Sequence, residues 1–375
     1  MTQLKGMTWR HPRGYDPMVE TSRIWKEKTG VEILWEQRSL QDFESFPVEE
    51  LAQQYDLIVI DHPHVGQITD EGCLVPLDDP ARQDELADME RRSVGPSFKS
   101  YNWRGRQWAL PIDAAAQVQA WRPDLIDGPV TRWSDVVGLA RQGQVILPLR
   151  EPHGLMCFFT LAANLGTPCA TQGPGDLIDA SDGARVIELL AELVELISDN
   201  NFDMDPIAAS EAMAAKDSSL ALMPLGYGYV SYALDGFRPH RLHFADIPVA
   251  GESGSIGSAV GGTGIAVSAR RSNAELAKDY AYWVAGGEIQ RSTYPSSGGQ
   301  PGHGSGWEDA QVNARTANFY TGTRATLEGG WLRPRHNGYM AFQQNASARL
   351  NHGLRNKENA RAIVSDLNTM FRESY

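Results

Sequence analysis

Two short polar segments near the N-terminus carry side chains that could bind a small polar molecule. Trp9 ends the first predicted strand of the chain and is followed by Arg10 and His11, and Asp61 and His62 come at the end of the third. An indole can stack on the face of a flat ring, and a carboxylate accepts hydrogen bonds from hydroxyl groups. The alternatives to ligand binding are that Trp9 packs as an ordinary core or surface residue and that Asp61 is a turn or cap residue.

Metal binding is a second function that these residues could serve. His62 and His64 could act as a ligand pair, but no third ligand lies near them in the sequence. The three cysteines, Cys73, Cys157 and Cys169, form no C-x-x-C pair, which is a common part of a thiolate zinc site. We therefore expect neither a metal nor a cofactor. A disulfide between Cys157 and Cys169 in an oxidising compartment stays open.

Short catalytic motifs are missing from the sequence. It contains no H-E-x-x-H, no Walker A loop, no kinase signature set and no G-x-S-x-G elbow. A nucleophilic cysteine needs an exposed, electropositive setting, whereas Cys157 lies in an apolar run that predicts a buried helix. We expect a protein that is not an enzyme.

Alternating strands and helices would position the two polar segments. In chain order we predict a strand Leu4–Trp9, a helix capped by Asp16 with Pro17 as its first residue and ending at Gly30, a strand Val31–Trp35, a helix over about 39–54, and a strand Leu57–Ile60. This order predicts a parallel sheet, and ligands of such sheets bind outside the carboxyl ends of the strands. Both polar segments follow strands and should meet at that edge.

Composition excludes two further classes of protein. The chain has 375 residues and a formal net charge of −13, with no run of Lys and Arg, so we expect no nucleic-acid partner. No stretch of about 18 apolar residues could form a transmembrane helix. Residues 1–9 also lack the apolar run of a signal peptide. The missing signal peptide has three explanations: the leader was removed, the start site is misassigned, or the protein is cytoplasmic.

The rest of the chain continues the α/β alternation. Apolar residues at helical spacing predict an amphipathic helix over 186–197, and a last helix is predicted over about 359–371. The length corresponds to two or three domains of ordinary size. No Gly- or Ser-rich linker separates them, which indicates that the chain crosses between two lobes more than once.

Seven ordered segments together resemble the extracellular solute-binding proteins of family 1, the sugar-type binding proteins of ABC transporters. They are Tyr55–Asp61 (YDLIVID), Gly72–Asp78 (GCLVPLD), Gly105–Pro111 (GRQWALP), Thr131–Asp135 (TRWSD), Glu211–Ala215 (EAMAA), Gly261–Val267 (GGTGIAV) and Glu288–Gln290 (EIQ). The resemblance covers nearly the whole chain. Departures are the missing signal peptide, Arg106 where the family has a lysine, and Arg132 between Thr131 and Trp133.

The resemblance implies a periplasmic binding protein-like fold of type II, in which two α/β lobes are joined by multiple hinge crossovers. Lobe 1 would comprise 1–112 and 262–318, and lobe 2 would comprise 113–261 and 319–375. A ligand would bind in the cleft between the lobes, and the lobes would close around it by a hinge motion.

The resemblance also extends the set of candidate ligand-binding residues. Asp113 would lie at the first crossover, where the alternative is a hinge hydrogen bond. Tyr227 and Tyr229 would supply a stacking aromatic ring. The remaining candidates lie at the later crossovers, and they are Gly262, Thr263, Trp331 and Arg333. For Gly262 the alternative is a backbone conformation that requires glycine. Arginines near these positions would favour an acidic ligand. The alternative is that they are solvated and only balance the negative charge of the protein.

The function implied is the substrate-binding component of an ABC importer that captures a small polar solute, a carbohydrate or a related organic acid. We expect a periplasmic monomer whose partners are the solute and the permease subunits of an ABC transporter. The alternative is a cytoplasmic ligand sensor or enzyme built on the same fold, which the missing leader would favour.

Overall fold

A computed structural model describes residues 2–39 and 48–375 of the chain. The strands are β1 Gln3–Trp9, β2 Glu32–Arg38, β3 Leu57–Ile60, β4 Asn102–Trp103, β5 Arg106–Gln107, β6 Leu110–Trp121, β7 Leu222–Tyr227, β8 His243–Ala245 and β9 Val260–Val267. Half of the helix predicted over about 39–54 falls on 40–47, outside the described residues, and Val48–Gln54 of the other half is helical.

The helices of the described residues lie between these strands and, after β9, follow one another without a further strand. They are α1 Pro12–Thr29, α2 Val48–Gln54, α3 Val65–Glu71, α4 Gln83–Arg91, α5 Ser97–Ser100, α6 Trp133–Ala140, α7 His153–Asn164, α8 Ala180–Val194, α9 Pro206–Ala214, α10 Ala274–Ala285, α11 Gly287–Arg291, α12 Thr293–Ser296, α13 Gly304–Trp307, α14 Ala310–Arg315, α15 Phe319–Glu328, α16 Tyr339–Arg355 and α17 Ala360–Glu373. Short 3-10 turns cover His62–His64, Pro80–Arg82, Asp199–Asp203 and Val230–Ala233. No helix in the described part of the chain has both the length and the apolar character that crossing a bilayer requires.

The chain forms two compact units. The first comprises Met1–Ala115, Gly261–Asn313 and Arg335–Asn337, and the second comprises Ala116–Val260, Ala314–Pro334 and Gly338–Tyr375. The chain therefore passes from one unit to the other several times, and β6 itself begins in the first unit and ends in the second. The lobe boundaries expected from the resemblance stay a prediction.

The first unit is built on a sheet with the strand order β2-β1-β3-β9-β6. β1 pairs in parallel with β2 and with β3, as the alternation of strands and helices predicted. β9 runs antiparallel to β3. Leu57–Ile60 are buried on both faces of the sheet, which explains why this strand is a continuous apolar run.

The predicted start of α1 was wrong. The helix begins at Pro12, four residues before the predicted cap Asp16, and Pro17 lies inside it. The Nδ1 atom of His11 accepts the backbone N–H of Arg13 at 3.1 Å and caps the helix. Pro12 fits the first turn, where a missing N–H costs nothing. The predicted end is confirmed, since Gly30 caps the helix with a φ of 76°.

The second unit packs its helices around β6, β7 and β8. β7 and β8 both pair antiparallel with the second half of β6. The predicted amphipathic helix is α8, which buries Val186, Leu190 and Leu193. The predicted C-terminal helix is α17, where the side chain of Asn359 accepts the backbone N–H groups of Arg361 and Ala362. The chain thus has a mixed α/β fold throughout.

Candidate functional site

The first polar segment turns directly from β1 into α1. Trp9 ends the strand and is only 3% exposed, because α1 lies against its ring. A Cβ atom on Gly14 would lie 2.3 Å from the indole, so only glycine permits this packing. Arg10 is exposed, and His11 is buried as the helix cap. Burial of Trp9 agrees with the packing alternative, and its role as a stacking platform stays a prediction.

Asp113 forms a buried ion pair with Arg13. Nε of Arg13 donates to Oδ2 of Asp113 at 3.0 Å, and Nη2 donates to Oδ1 at 2.5 Å. Both side chains are almost completely removed from solvent. Burial raises the pKa of the Asp113 carboxyl, and the Arg13 guanidinium opposes this rise by favouring the carboxylate. The sequence named Asp113 as a candidate but not its partner.

Gly262 and Thr263 lie on β9 beside Asp113. Gly262 has a φ of 86°, and a Cβ atom there would lie 2.3 Å from the carbonyl oxygen of Asp113. The position therefore requires glycine both for its conformation and for close approach. Thr263 is 5% exposed, and its Oγ1 finds no hydrogen-bond partner in the described part of the chain. Buried hydroxyl groups are usually hydrogen-bonded, and a ligand or a water molecule can supply the partner.

The second polar segment forms a 3-10 turn after β3. The Asp61 carboxylate accepts the backbone N–H of His62 at 2.8 Å and so caps the turn. The His62 ring is fully buried, edge-on to the ring of Tyr101 at 6.4 Å. Within residues 2–39 and 48–375, no group of three or more His, Cys, Asp or Glu side chains is placed to hold a metal ion.

Tyr227 ends β7 in the second unit and is partly exposed. Its ring lies 6.0 Å from the imidazole of His153, at an interplanar angle of 67°. His153 is the first residue of α7 and is 2% exposed. Among the described residues, no group hydrogen-bonds to its Nδ1 atom. Tyr227 and His153 thus place an aromatic face and a buried polar atom side by side.

His153 was not among the residues predicted from the sequence. It lies at the start of a long apolar run, which predicts a buried helix, and a single histidine has no spacing pattern that would indicate a site. Burial lowers the pKa of His153 to about 4, while Asp205 acts to raise it and Arg333 and Arg150 act to lower it further. The imidazole is therefore neutral near pH 7, with one nitrogen as a donor and the other as an acceptor.

The remaining candidates of the second unit are held by local contacts. Tyr229 is buried just before the turn Val230–Ala233. Trp331 pairs through its backbone with Ser258 and Val260, and its ring lies 5.0 Å from that of Phe159.

Two arginines of the second unit have defined partners. Nη1 of Arg333, which is buried, donates to Oε1 of Gln343 at 3.1 Å. Arg122 is held by the carboxylate of Asp124 and by the carbonyl oxygens of Met213 and Ser218. This arrangement assigns Arg122 a structural role.

Within the first unit, the structure brings together Asp113 and Gly262, with Thr263 adjacent on β9, while Trp9 ends β1 and His11 caps α1. Within the second unit, it joins Tyr227 to His153 and Arg333 to Gln343. Ligand binding by all twelve predicted residues stays a prediction.

The three cysteines are free and buried. Burial raises the pKa of Cys73 to about 11 and that of Cys157 to about 12, and it also raises the pKa of Cys169. A thiol of this kind is protonated at neutral pH and makes a poor nucleophile.

Comparisons with known proteins agree with this fold. The maltose-bound MalE3 protein of T. maritima superposes with a TM-score of 0.84 at 12% identity, and 100% of each chain is covered. A solute-binding protein of an ABC transporter from Thermotoga lettingae, bound to α-D-tagatose, gives a TM-score of 0.83 at 12% identity over 100% of each chain. One from Agrobacterium radiobacter, in complex with ribitol, gives 0.76 at 17% identity, covering 100% of this chain and 99% of that chain.

Identities this low establish the fold alone, and a comparison with curated proteins finds no match. A family model described as bacterial extracellular solute-binding protein matches residues 24–315, which is most of the chain. The chain therefore belongs to the family of bacterial extracellular solute-binding proteins.

Proposed function

We propose that this chain is the substrate-binding component of an ABC importer. It captures a small polar solute, a carbohydrate or a related organic acid, in the cleft between its lobes by hinge closure. The family match supports a solute-binding role, and the structural relatives that bind maltose, tagatose and ribitol support a hydroxyl-rich ligand.

The observation that carries the proposal is the match of the solute-binding family model to residues 24–315. Two buried polar atoms without partners are the groups that we assign to the ligand. Thr263 Oγ1 in the first unit and His153 Nδ1 in the second have no hydrogen-bond partner within the described ranges. Leaving such an atom unsatisfied costs about 1–3 kcal/mol. A ligand hydroxyl can both donate and accept, so it can satisfy a threonine hydroxyl and a neutral imidazole alike.

The surroundings of His153 fit a carbohydrate. The low pKa of His153 keeps the ring neutral, so it can donate to one ligand oxygen and accept from another. The neighbouring Tyr227 ring offers an aromatic face against which the C–H face of a sugar could pack. The nearby arginines Arg150 and Arg333 would also tolerate an acidic substituent on the ligand.

Closure would follow from differential binding. A ligand that contacts both lobes binds the closed state more tightly than the open state and shifts the population towards it. A change from mostly open to mostly closed requires about 5.5 kcal/mol of differential binding. A few hydrogen bonds and one stacked ring supply energies of this order. The extracellular family assignment favours a periplasmic or extracellular location, where permease subunits would receive the solute.

Calorimetric titration of the full chain tests the proposal. Neutral sugars, polyols and sugar acids are titrated into the wild type, and the tightest ligand is then titrated into Thr263→Val and His153→Leu. We expect the Kd to rise about fivefold for the first variant and about tenfold for the second, since each loses one hydrogen bond.

The matched control is Thr323→Val. Thr323 is also buried, but its Oγ1 donates to the carbonyl oxygen of Phe319 inside α15. Its Kd should stay within twofold of the wild type. Equal effects of all three substitutions would overturn the assignment of Thr263 and His153, and a wild type that binds no solute would overturn the function.

A further inference from the structure

The Arg13–Asp113 ion pair joins a helix start to a strand that leaves the first unit. Arg13 lies in the first turn of α1, and Asp113 lies on β6, three residues before the second unit begins at Ala116. Two N–H···O bonds join the guanidinium to both oxygens of the carboxylate, which restricts the orientation of each group. A buried ion pair is weak support for stability, because desolvation offsets the attraction. A role in geometry accounts better for its presence.

Asp113 is held from two further sides. The carbonyl oxygen of Asp113 lies against Gly262 of β9, where a Cβ atom would lie 2.3 Å away. The next residue, Ala114, donates its backbone N–H to the carbonyl of Gln300 at 2.9 Å and accepts from the side chain of Gln300 at 3.2 Å. The first-unit ends of β6 and β9, the first turn of α1 and the segment at Gln300 therefore all meet at Asp113.

Arg13 also contacts the residues at the end of β1 and at the start of α1. Its backbone N–H donates to Nδ1 of His11 at 3.1 Å, and its guanidinium lies 6.0 Å from the ring of Trp9. Thr8 Oγ1 donates to the carbonyl of Gly14 at 2.9 Å. The backbone of Arg13 therefore takes part in the helix cap, while its side chain lies beside the indole of Trp9.

We propose that Arg13 is a positioning residue for ligand binding, which acts through Asp113 to hold the Trp9–His11 segment in a fixed place relative to the crossover strands β6 and β9. The inference rests on the proposed function, because it assigns to Arg13 a part in the affinity of a site to which the Trp9–His11 segment would contribute together with Thr263. Lysine cannot replace the arginine, since an ammonium group cannot make the two parallel hydrogen bonds.

The experiment compares Arg13→Lys and Asp113→Asn with Arg122→Lys. Arg122 is the matched control because it is also buried and binds Asp124 through two hydrogen bonds of 2.7 Å, just beyond the far end of β6. The Kd for the solute and the Tm of the full chain are measured for each variant. We expect Arg13→Lys and Asp113→Asn to raise the Kd about tenfold, whereas Arg122→Lys lowers the Tm but leaves the Kd within twofold of the wild type.

A double-mutant cycle and hydrogen exchange separate positioning from loss of stability. The double variant should bind about as well as either single variant, because both substitutions remove one interaction. Amide exchange of residues 9–15 should become faster in Arg13→Lys and in Asp113→Asn, and stay unchanged in Arg122→Lys. A Kd and an exchange pattern of Arg13→Lys that match those of Arg122→Lys would overturn the inference. In that case solute binding by the wild type would still support the proposed function.

Discussion

The rings of His153 and Tyr227 pack in a T-shaped arrangement, with centroids 6.0 Å apart and an interplanar angle of 67°. The two residues belong to different elements, the first turn of α7 and the last residue of β7. Their contact places a neutral, buried imidazole beside a partly exposed aromatic ring. Several consequences of this arrangement, and of the junction at Asp113, can be measured.

Removing the ring of Tyr227 should weaken ligand binding more than removing its hydroxyl. We expect Tyr227→Ala to raise the Kd for a sugar about tenfold, because the stacking face is lost, and Tyr227→Phe to raise it by less than about threefold. Calorimetric titration of both variants measures the difference. Equal losses in the two variants would show that the hydroxyl, and not the ring, carries the contact.

His153 should make the stability of the chain depend on pH. Its pKa is lowered to about 4 in the folded chain from an ordinary value of 6.5, so the unfolded chain binds more protons between these values. The stability contributed by the neutral ring is fully present above about pH 6.5 and is lost as the pH falls towards 4. The total loss is on the order of 3 kcal/mol.

Urea denaturation of the wild type and of His153→Gln between pH 4 and 7.5 measures this contribution. Glutamine keeps a donor and an acceptor but does not titrate. The difference in unfolding free energy between the two proteins should change over this pH range and level off above pH 6.5. Parallel pH profiles would mean that the imidazole titrates as it does in the unfolded chain.

Alanine at Gly262 should destabilise the chain far more than alanine at a glycine in open space. Both Gly262 and Gly143 have positive φ, but only Gly262 faces a carbonyl oxygen at 2.3 Å, whereas nothing lies within 4 Å of Gly143. We expect Gly143→Ala to cost about 1–2 kcal/mol and Gly262→Ala at least about 2 kcal/mol more. Chemical denaturation of both variants measures their free energies of unfolding. Similar losses of stability in the two variants would refute the close packing of Gly262 against Asp113.

The thiols should be unreactive in the native chain. All three cysteines are buried with raised pKa values, so a disulfide reagent at pH 8 should label none of them before unfolding and all three in denaturant. Spectrophotometric thiol titration makes the comparison. Rapid labelling of one native thiol would reveal an accessible cysteine and would reopen the possibility of thiol chemistry.

Local pattern was enough to predict the first three strands and their parallel pairing. The apolar run Leu57–Ile60 is buried on both faces of the sheet, and glycine ended α1 where it was expected. The start of α1 was missed because Asp16-Pro17 looks like a helix start, whereas a histidine, His11, provides the cap. Cap chemistry decided this boundary, and apolar periodicity carries no information about it.

Most of the site could not be predicted from the sequence alone. Arg13 and Asp113 are 100 residues apart, and nothing in either local segment marks them as partners. His153 reaches Tyr227 only because α7 packs beside β7. Pairings of this kind depend on the tertiary fold. The resemblance to a known family identified Asp113, Tyr227 and Thr263 as candidates, but not the residues that surround them.

Thermal denaturation in the presence of a broad panel of solutes tests solute capture most directly. A ligand that binds only the folded chain stabilises it by about 2.7 kcal/mol at a hundred times its Kd, which raises the Tm by several degrees. We predict such a rise, growing with concentration, for at least one neutral sugar, polyol or sugar acid. A Tm that stays constant across the whole panel at millimolar concentrations would contradict the account.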